Sequence, residues 1–173
     1  HLLHATGIPV VYVTHDQEEA FGIADRLILL HDGIIAQTGS PVEVYNRPDN
    51  EWVARFLGLT NFLKGKIIST EPLQIEKPLG VLQSGASSAK GISIGEETTI
   101  LLRPFGVELA DEGQKKNVLF GTAQDVVFKS QGFQVEIGFN TDHVLQFVMD
   151  EKIQPGEKLK IYISPESVLC MQC

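Results

Sequence analysis

An apolar run that ends in a polar turn is the first feature of the chain. Ile8 to Thr14 is rich in β-branched residues and stops at Thr14-His15-Asp16. Runs of this length bounded by a polar turn are typical of buried strands, most often parallel strands covered on both faces. Asp16 can cap a helix predicted from Gln17 to about Ala24, with Glu19 placed to complete a capping box. The pattern therefore predicts His15 at the carboxyl end of a parallel strand, where open α/β sheets bind ligands.

The next segment contains the sequence signals of a hairpin turn and of a helix cap. Asp32-Gly33 predicts a two-residue hairpin turn between strands over Arg26–Leu30 and Ile34–Gln37. Ser40-Pro41, with glutamate at the third helical position, predicts a capped helix that ends by Arg47-Pro48. A further helix is expected to follow within this α/β part.

Asn50 is the predicted cap of that further helix, and Gly58 follows its end. Trp52 and Phe56 are four residues apart, which places them on one side of the helix. This spacing fits a core stripe or a surface that docks a partner, and we expect the core. We place a domain boundary at Gly58, because the predicted elements change there from strand–helix units to short strands separated by turns.

After Gly58 the pattern changes to short alternating strands separated by turns. Val135, Ile137 and Phe139 alternate with Glu136 and Gly138, as in a half-buried antiparallel strand. No tandem repeat of fixed period is visible. Many short strands at this spacing predict a small barrel or sandwich. The predicted strands are Phe62–Ser69, Leu73–Glu76, Val81–Gln83, Thr98–Arg103, Val107–Leu109, Asn117–Lys129, Gln134–Phe139, Val144–Met149, Lys158–Ile163 and Val168–Met171.

Charge and composition exclude several classes of function. The 173 residues carry 14 basic and 22 acidic side chains, net −8, without the basic excess that nucleic acid binding requires. Four phenylalanines alternate as core residues do, which argues against a base-stacking surface: Phe128, Phe133, Phe139 and Phe147. No apolar run approaches the roughly 20 residues of a membrane span, and no secretory signal is visible. The chain begins without Met, and we expect it to be part of a longer protein.

Three groups of residues invite a metal or redox interpretation. Cys170 and Cys173 form a C-x-x-C pair without a second pair of matching spacing, and we expect reduced thiols. His1 and His4 lie one helical turn apart without a third ligand, and we expect a helix surface. The acids around Asp16–Glu19 suit the start of a helix, because its dipole favours negative charge there. No metal site is predicted.

His15 alone fits a satisfied, partly buried histidine as well as a ligand contact, but its surroundings carry a resemblance. His15-Asp16-Gln17-Glu18-Glu19-Ala20, Ala24-Asp25-Arg26, Leu30-His31-Asp32-Gly33, Gln37 and Gly39-Ser40-Pro41 resemble the end of the nucleotide-binding domain of ABC-transporter ATPases, closest to importer subunits for sugars, polyamines, iron or sulfate. The resemblance implies that His15 is the switch histidine, a catalytic residue that contacts the γ-phosphate of ATP.

The second part also resembles a region of these importer subunits. Asn61-Phe62-Leu63 with Gly65, Leu101-Leu102-Arg103-Pro104, and Gly156-Glu157 followed by Leu159 to Ser164-Pro165-Glu166 are similar to their TOBE domain. Phe105 departs from the pattern, since relatives often carry an acid after Arg-Pro. The implied fold is an α/β remnant of a RecA-like nucleotide-binding domain, residues 1–58, followed by an all-β OB-type (TOBE) barrel, residues 59–173.

The resemblance implies an ATP-hydrolysing importer subunit that uses ATP and Mg²⁺. Its implied partners are a second copy of the subunit and transmembrane permease subunits, at the cytoplasmic inner face of the cell membrane. The chain itself has no G-x-x-x-x-G-K-[ST] loop and no paired acids after an apolar strand. We therefore expect the chain alone to be inactive. The alternative is a regulatory small-molecule-binding or dimerisation module, with ligand loops in the Gly80–Gly95 and Phe105–Gly113 stretches.

Overall fold

Short antiparallel strands dominate the chain. The computed structural model describes residues 8–77, 79–85, 93–130, 132–139 and 143–171. These residues belong to two compact units, His1–Pro48 and Asp49–Cys173. The predictions for His1, His4 and Cys173, and part of the Gly80–Gly95 stretch, lie outside the described residues.

The first unit is built on one hairpin and two short helices. Helix α1 (Gln17–Ile23) precedes strands β1 (Leu27–His31) and β2 (Ile34–Gly39), and helix α2 (Pro41–Asn46) follows. Asp32 and Gly33 have φ of 49° and 79°, and His31 pairs with Ile34, so the predicted two-residue turn is confirmed. The predicted cap of α2 is also confirmed, because Ser40 and Glu43 form a reciprocal capping box.

The strand predicted over Ile8–Thr14 is wrong for this structure. The segment has no regular secondary structure, and Val11 and Val13 are 93% and 89% exposed. A parallel strand is held by hydrogen bonds to neighbouring strands. Within the described residues every strand pair is antiparallel, and none of these pairs includes this segment. The segment therefore lacks the hydrogen-bonded neighbouring strands that a parallel strand requires.

Helix α3 (Glu51–Phe56) opens the second unit. The Asn50 side chain accepts a hydrogen bond from the Val53 amide at 3.0 Å, as the predicted cap requires. Val53 and Ala54 are fully buried. The expectation that Trp52 and Phe56 are core residues is wrong, because Trp52 is half-buried and Phe56 is 37% exposed, with their rings stacked at 5.3 Å. The smaller side chains fill the buried side of this helix instead.

Within the described residues, ten strands follow in the second unit, close to the predicted bounds. The strands are β3 (Phe62–Thr70), β4 (Leu73–Lys77), β5 (Gly80–Gln83), β6 (Glu97–Leu102), β7 (Val107–Leu109), β8 (Val118–Lys129), β9 (Gly132–Gly138), β10 (Val144–Met149), β11 (Lys158–Ile163) and β12 (Val168–Met171). They lie in two five-stranded antiparallel sheets, in the orders β12-β6-β3-β4-β5 and β10-β9-β8-β11-β7.

Both sheets contribute to one apolar core, as the alternating pattern predicted. Val135 and Ile137 on β9, Phe139 directly after it, and Leu159, Ile161 and Ile163 on β11 are all buried. Phe147 is fully buried, whereas Phe128 is 71% exposed, so the expected core position of Phe128 is wrong. Phe128 lies near the end of the β8–β9 hairpin, where its ring meets that of Phe133 at 5.3 Å.

The two sheets are related by an internal duplication. Strands β3–β7 and β8–β12 follow the same plan: the first strand pairs with the second and fourth, and the second pairs with the third. Each half begins with Asn-x-Leu-x-Gly, at Asn61–Gly65 and Asn117–Gly121. The spacing between equivalent residues changes along the chain because the turns differ in length, so no fixed period marks the repeat in the sequence.

Equivalent backbone hydrogen bonds confirm the correspondence between the halves. In each half, a residue of the first strand donates to a glutamate carbonyl at 2.9 Å and accepts from a glycine amide at 2.8 Å. Both sets lie beside a register shift in the first strand, after Ile67 and after Ala123. The two sets are Ile67 with Glu96 and Gly95, and Ala123 with Glu157 and Gly156.

The halves exchange their last strands. The β7 strand of the first half pairs with β11 of the second half, and β12 of the second half pairs with β6 of the first. The exchange is reciprocal at the crossing, where the Arg103 amide donates to the Ser167 carbonyl at 2.9 Å and the Ser164 amide donates to the Gly106 carbonyl at 3.0 Å. Each five-stranded sheet therefore contains residues from both halves.

Candidate functional site

His15 lies in the turn between the Ile8–Thr14 segment and helix α1. Its side chain is exposed, and no hydrogen bond or ion pair to the imidazole is present among the described residues. Its neighbour Asp16 caps the helix by accepting a hydrogen bond from the Glu19 amide at 3.0 Å. The imidazole is therefore presented to solvent at a capped helix start.

Side chains on both sides of His15 form one hydrogen-bonded network. The Glu19 carboxylate accepts from the Tyr12 hydroxyl at 3.0 Å and from the Thr14 hydroxyl at 2.9 Å. Thr14 Oγ1 in turn accepts from the Asp16 amide at 3.0 Å. The hydrogen bond to Glu19 raises the pKa of the Tyr12 hydroxyl. Glu19 thus binds the preceding segment rather than closing the predicted capping box with Asp16.

These residues do not form an ATP site by themselves. A bound nucleotide needs several donors and cations around its phosphates, and the side chains that follow His15 are acidic or amide groups, Asp16–Glu19. Within the described residues no group of three His, Cys, Asp or Glu side chains is arranged for a metal ion. In the same residues no helix is long and apolar enough to cross a bilayer.

Cys170 and Phe105 were the other residues singled out in the β-rich part. Cys170 lies half-buried on β12 as a free thiol, and burial raises its pKa to about 11. Such a thiol is a poor nucleophile near neutral pH, because the thiolate is the reactive form. Phe105 is 41% exposed in the loop before β7.

A cleft in the first sheet was not predicted from the sequence. It has a volume of about 220 Å³ and is lined by Lys64, Gly65, Lys66, Glu76, Lys77 and Glu97. Lys77 is only 7% exposed, and its ammonium has no hydrogen-bond partner within the described part of the chain. A signal was present in the sequence: Leu73, Ile75 and Lys77 follow the two-residue alternation of a strand with its apolar face inward, and the last of them is charged.

Comparison with known proteins shows what the chain is similar to. No protein-family model matches the chain. Three similar proteins are each a spermidine/putrescine import ATP-binding protein PotA. That of Borreliella afzelii is 31% identical over 95% of the chain, that of Oleidesulfovibrio alaskensis 33% over 93%, and that of Aster yellows witches'-broom phytoplasma 29% over 96%. The chain is homologous to ABC importer ATP-binding subunits.

The homology covers a part of these importer subunits. The chain spans 45%, 42% and 38% of the length of the same three relatives. Nearly the whole chain aligns, including His15 and its helix start as well as the β-rich unit. The residues described here are therefore a region shared with a larger ATP-binding subunit.

A solved structure relates the β-rich unit of this importer homologue to a known fold. The cytoplasmic molybdate-binding protein ModG, crystallised with molybdate bound, has a TM-score of 0.56 and 16% identity. The match covers 65% of the chain and 96% of that protein. The fold is OB-like, which confirms the predicted fold type of the second part.

Proposed function

We propose that the chain is a region of an ATP-hydrolysing subunit that drives solute import through an ABC transporter. The observation that supports this most directly is the alignment of more than nine tenths of the chain with importer ATP-binding subunits. In this proposal residues 1–58 are the end of a RecA-like nucleotide-binding domain, and residues 59–173 are its OB-like TOBE appendage.

Apolar exposure in the first unit supports the nucleotide-binding assignment. Val11 and Val13 are almost fully exposed, and Ile28, Leu30 and Ile34 on the hairpin are 59%, 64% and 71% exposed. Exposed apolar side chains in this number are typical of a surface that another part of a protein covers. The rest of the nucleotide-binding domain is the proposed cover, and Val10–Val13 would then gain the neighbouring strands that a parallel sheet requires.

His15 is the proposed catalytic residue of this chain. It would contact the γ-phosphate of ATP, while the rest of the subunit supplies the phosphate loop and the Mg²⁺ ligands. What the chain itself provides is the placement of the imidazole, because hydrogen bonds involving Thr14 and Asp16 fix the residues on both sides of it. The proposed partners are a second copy of the subunit and the transmembrane permease subunits, at the inner face of the membrane. Spermidine and putrescine, named for the relatives, are the solutes to test first.

The test is ATP hydrolysis by the full-length subunit that contains this chain. His15→Ala is expected to reduce the rate by about 100-fold or more, because a group that contacts the transferred phosphoryl in the transition state is removed. His143→Ala is the matched control, since the Phe139 amide donates to the backbone carbonyl of His143, at 2.9 Å, and not to its side chain. Equal rates for the wild-type subunit and His15→Ala would contradict the proposal.

A second candidate function is dimerisation through the OB-like unit. Phe120 and Phe128 on β8 are 69% and 71% exposed, and exposed aromatic side chains are frequent at protein interfaces. A concentration-dependent dimer of the chain, measured by light scattering and lost in Phe120→Ser/Phe128→Ser, would support this function. A monomer at every concentration would contradict it.

A further inference from the structure

The Glu19 carboxylate does not serve the helix cap that its place in the sequence predicts. In a capping box, the third helical residue accepts a hydrogen bond from the amide of the N-cap residue, here Asp16. That amide donates to Thr14 Oγ1 instead, at 3.0 Å. The Asp16 side chain still caps α1, because it accepts from the Glu19 amide at 3.0 Å. The contacts of the Glu19 carboxylate therefore need an explanation other than the cap.

Both oxygens of this carboxylate bind hydroxyl groups of the segment that precedes His15. Oε1 accepts from the Tyr12 hydroxyl at 3.0 Å, and Oε2 accepts from the Thr14 hydroxyl at 2.9 Å. Hydrogen bonds to an ionised carboxylate are stronger than those between neutral groups. The pKa of Tyr12 is raised by Glu19, so the phenol stays protonated and remains a donor at neutral pH. One side chain thus joins two residues of the segment to the first turn of α1.

These contacts close a ring of hydrogen bonds around the backbone of His15. The Thr14 hydroxyl donates to Glu19, the Glu19 amide donates to the Asp16 side chain, and the Asp16 amide donates to Thr14. His15 lies between Thr14 and Asp16 in the chain, so its backbone is held from both sides. The imidazole itself makes no hydrogen bond within the part of the chain that the structure describes. The ring therefore fixes the start of the His15 side chain and leaves its nitrogens to a ligand.

Glu18 provides a comparison within the same helix. It is also an exposed acid in the first turn of α1, where the helix dipole favours negative charge. Its carboxylate makes no hydrogen bond or ion pair among the described residues. The dipole accounts equally for both acids, whereas the contacts to two hydroxyl groups distinguish Glu19.

We propose that Glu19 is the positioning residue of His15 and acts through the hydroxyl groups of Thr14 and Tyr12. This inference rests on the proposed function, in which His15 contacts the γ-phosphate of ATP. A displacement of about 1 Å in a group that contacts the reacting atoms can lower a rate about 100-fold. Loss of the Glu19 carboxylate would loosen the chain on both sides of His15 without removing the imidazole. Glu19 therefore affects the transfer of the phosphoryl group rather than the binding of ATP.

The test is the steady-state ATPase activity of the full-length subunit that contains this chain, with kcat and KM measured separately. Glu19→Ala is expected to lower kcat by about tenfold or more and to change KM for ATP by less than about twofold. Glu18→Ala is the matched control and should keep the wild-type kcat. An unchanged kcat in Glu19→Ala, or an equal loss in Glu18→Ala, would overturn the proposal.

Two changes at Thr14 test the contact itself. Thr14→Val removes the hydroxyl with little change of shape, and we expect kcat to fall as it does in Glu19→Ala. Thr14→Ser keeps a hydroxyl that can donate to Glu19 and accept from the Asp16 amide, so it should retain most of the wild-type kcat. Equal kcat values for Thr14→Val and Thr14→Ser would overturn the proposal.

A double variant separates positioning from a general structural role. If Glu19 acts through His15, Glu19→Ala should cause no further loss of kcat in a subunit that already carries His15→Ala. A full tenfold loss in that background would overturn the proposal and leave the proposed function intact, because His15→Ala alone would still lower the rate. A wild-type rate in His15→Ala would contradict both.

Discussion

Asn61 binds the backbone of Gln146 through both ends of its side-chain amide. Nδ2 donates to the Gln146 carbonyl at 2.6 Å, and Oδ1 accepts from the Gln146 amide at 2.8 Å. The duplication repeats this arrangement, because Asn117 binds Gln83 in the same way at 2.8 and 2.7 Å. Each asparagine precedes the first strand of one half and holds the third strand of the other, so the two amides join the sheets.

Replacing either asparagine should destabilise the β-rich unit. Asn61→Ala and Asn117→Ala are each expected to lower the free energy of unfolding by about 2–3 kcal/mol, because the change leaves a backbone donor and acceptor without partners. Denaturant unfolding measures this. The double variant should show nearly the sum of both losses, since the two sites share no residue. A loss below about 0.5 kcal/mol in each single variant would contradict the role of the amides.

The glycines of the Asn-x-Leu-x-Gly segments should not accept a side chain. A Cβ at Gly65 would lie 2.6 Å from Ile75 Cγ2 and 2.8 Å from Ile100 Cδ1, and one at Gly121 would overlap Ile137 Cγ2. Gly65→Ala and Gly121→Ala are each expected to cost about 1–3 kcal/mol through overpacking of the core. Gly113→Ala is the control, because no heavy atom lies within 4 Å of its Cβ position. If the thermal unfolding midpoints of Gly65→Ala and Gly121→Ala equalled that of Gly113→Ala, the core would accommodate the added methyl groups and the prediction would be wrong.

Lys77 should make the stability of the chain depend on pH. Burial lowers its pKa from 10.5 to about 7, so between these values the unfolded chain binds more protons than the folded chain. The free energy of unfolding from this group therefore rises as the pH increases from about 7 to 10.5. Lys77→Met should be more stable than the wild type by a few kcal/mol near pH 7, with the difference vanishing above about pH 10.5. Denaturant unfolding at several pH values measures this. Equal pH dependence of the free energy of unfolding in the wild type and in Lys77→Met would contradict the prediction.

Ser40 should govern the start of helix α2. Its hydroxyl accepts from the Glu43 amide at 3.3 Å, and the Ser40 amide donates to Glu43 Oε2 at 2.9 Å. Ser40→Ala is expected to weaken the helix by about 1 kcal/mol, measured by hydrogen exchange of its amides. The hydrogen bond from the Ser40 backbone lowers the pKa of Glu43, so its contribution is complete above the ordinary carboxyl pKa and is lost as the pH falls through the lowered value. Equal exchange in both proteins would contradict the capping role.

The chain alone should not hydrolyse ATP. A phosphoryl transfer site needs a phosphate loop and metal ligands, and no phosphate-loop motif occurs in these 173 residues. We expect phosphate release by the purified chain to equal the blank without protein. Release above the blank that His15→Ala abolishes would show that the chain holds a complete site.

Local patterns predicted most of the fold, because they reflect neighbours close in the sequence. Asp32-Gly33 specified its turn through positive φ, and Leu159, Ile161 and Ile163 specified a strand through two-residue alternation. The predictions for Val10–Val13 and for Trp52 were wrong because an apolar pattern indicates that a segment can be buried. It does not show which other segment covers it. The duplication was missed because its two copies share few residues at variable spacing.

The candidate site residues were likewise predicted only in part from the sequence. His15 was found through the residues around it, and its exposed place at a capped helix start is visible in the structure, while its role stays a prediction. Lys77 was passed over as an ordinary charged residue. Its burial, with 7% of the residue exposed and no hydrogen-bond partner for Nζ among the described residues, is visible only in the fold.

The exchange of β7 and β12 has a consequence for how this unit can change in evolution. Because β6 is paired on one edge by β12, a chain that stopped before Pro165 would leave the first half incomplete as well as the second. Removal of either copy would leave the other with an unpaired strand edge. We therefore expect the two copies to be gained or lost together.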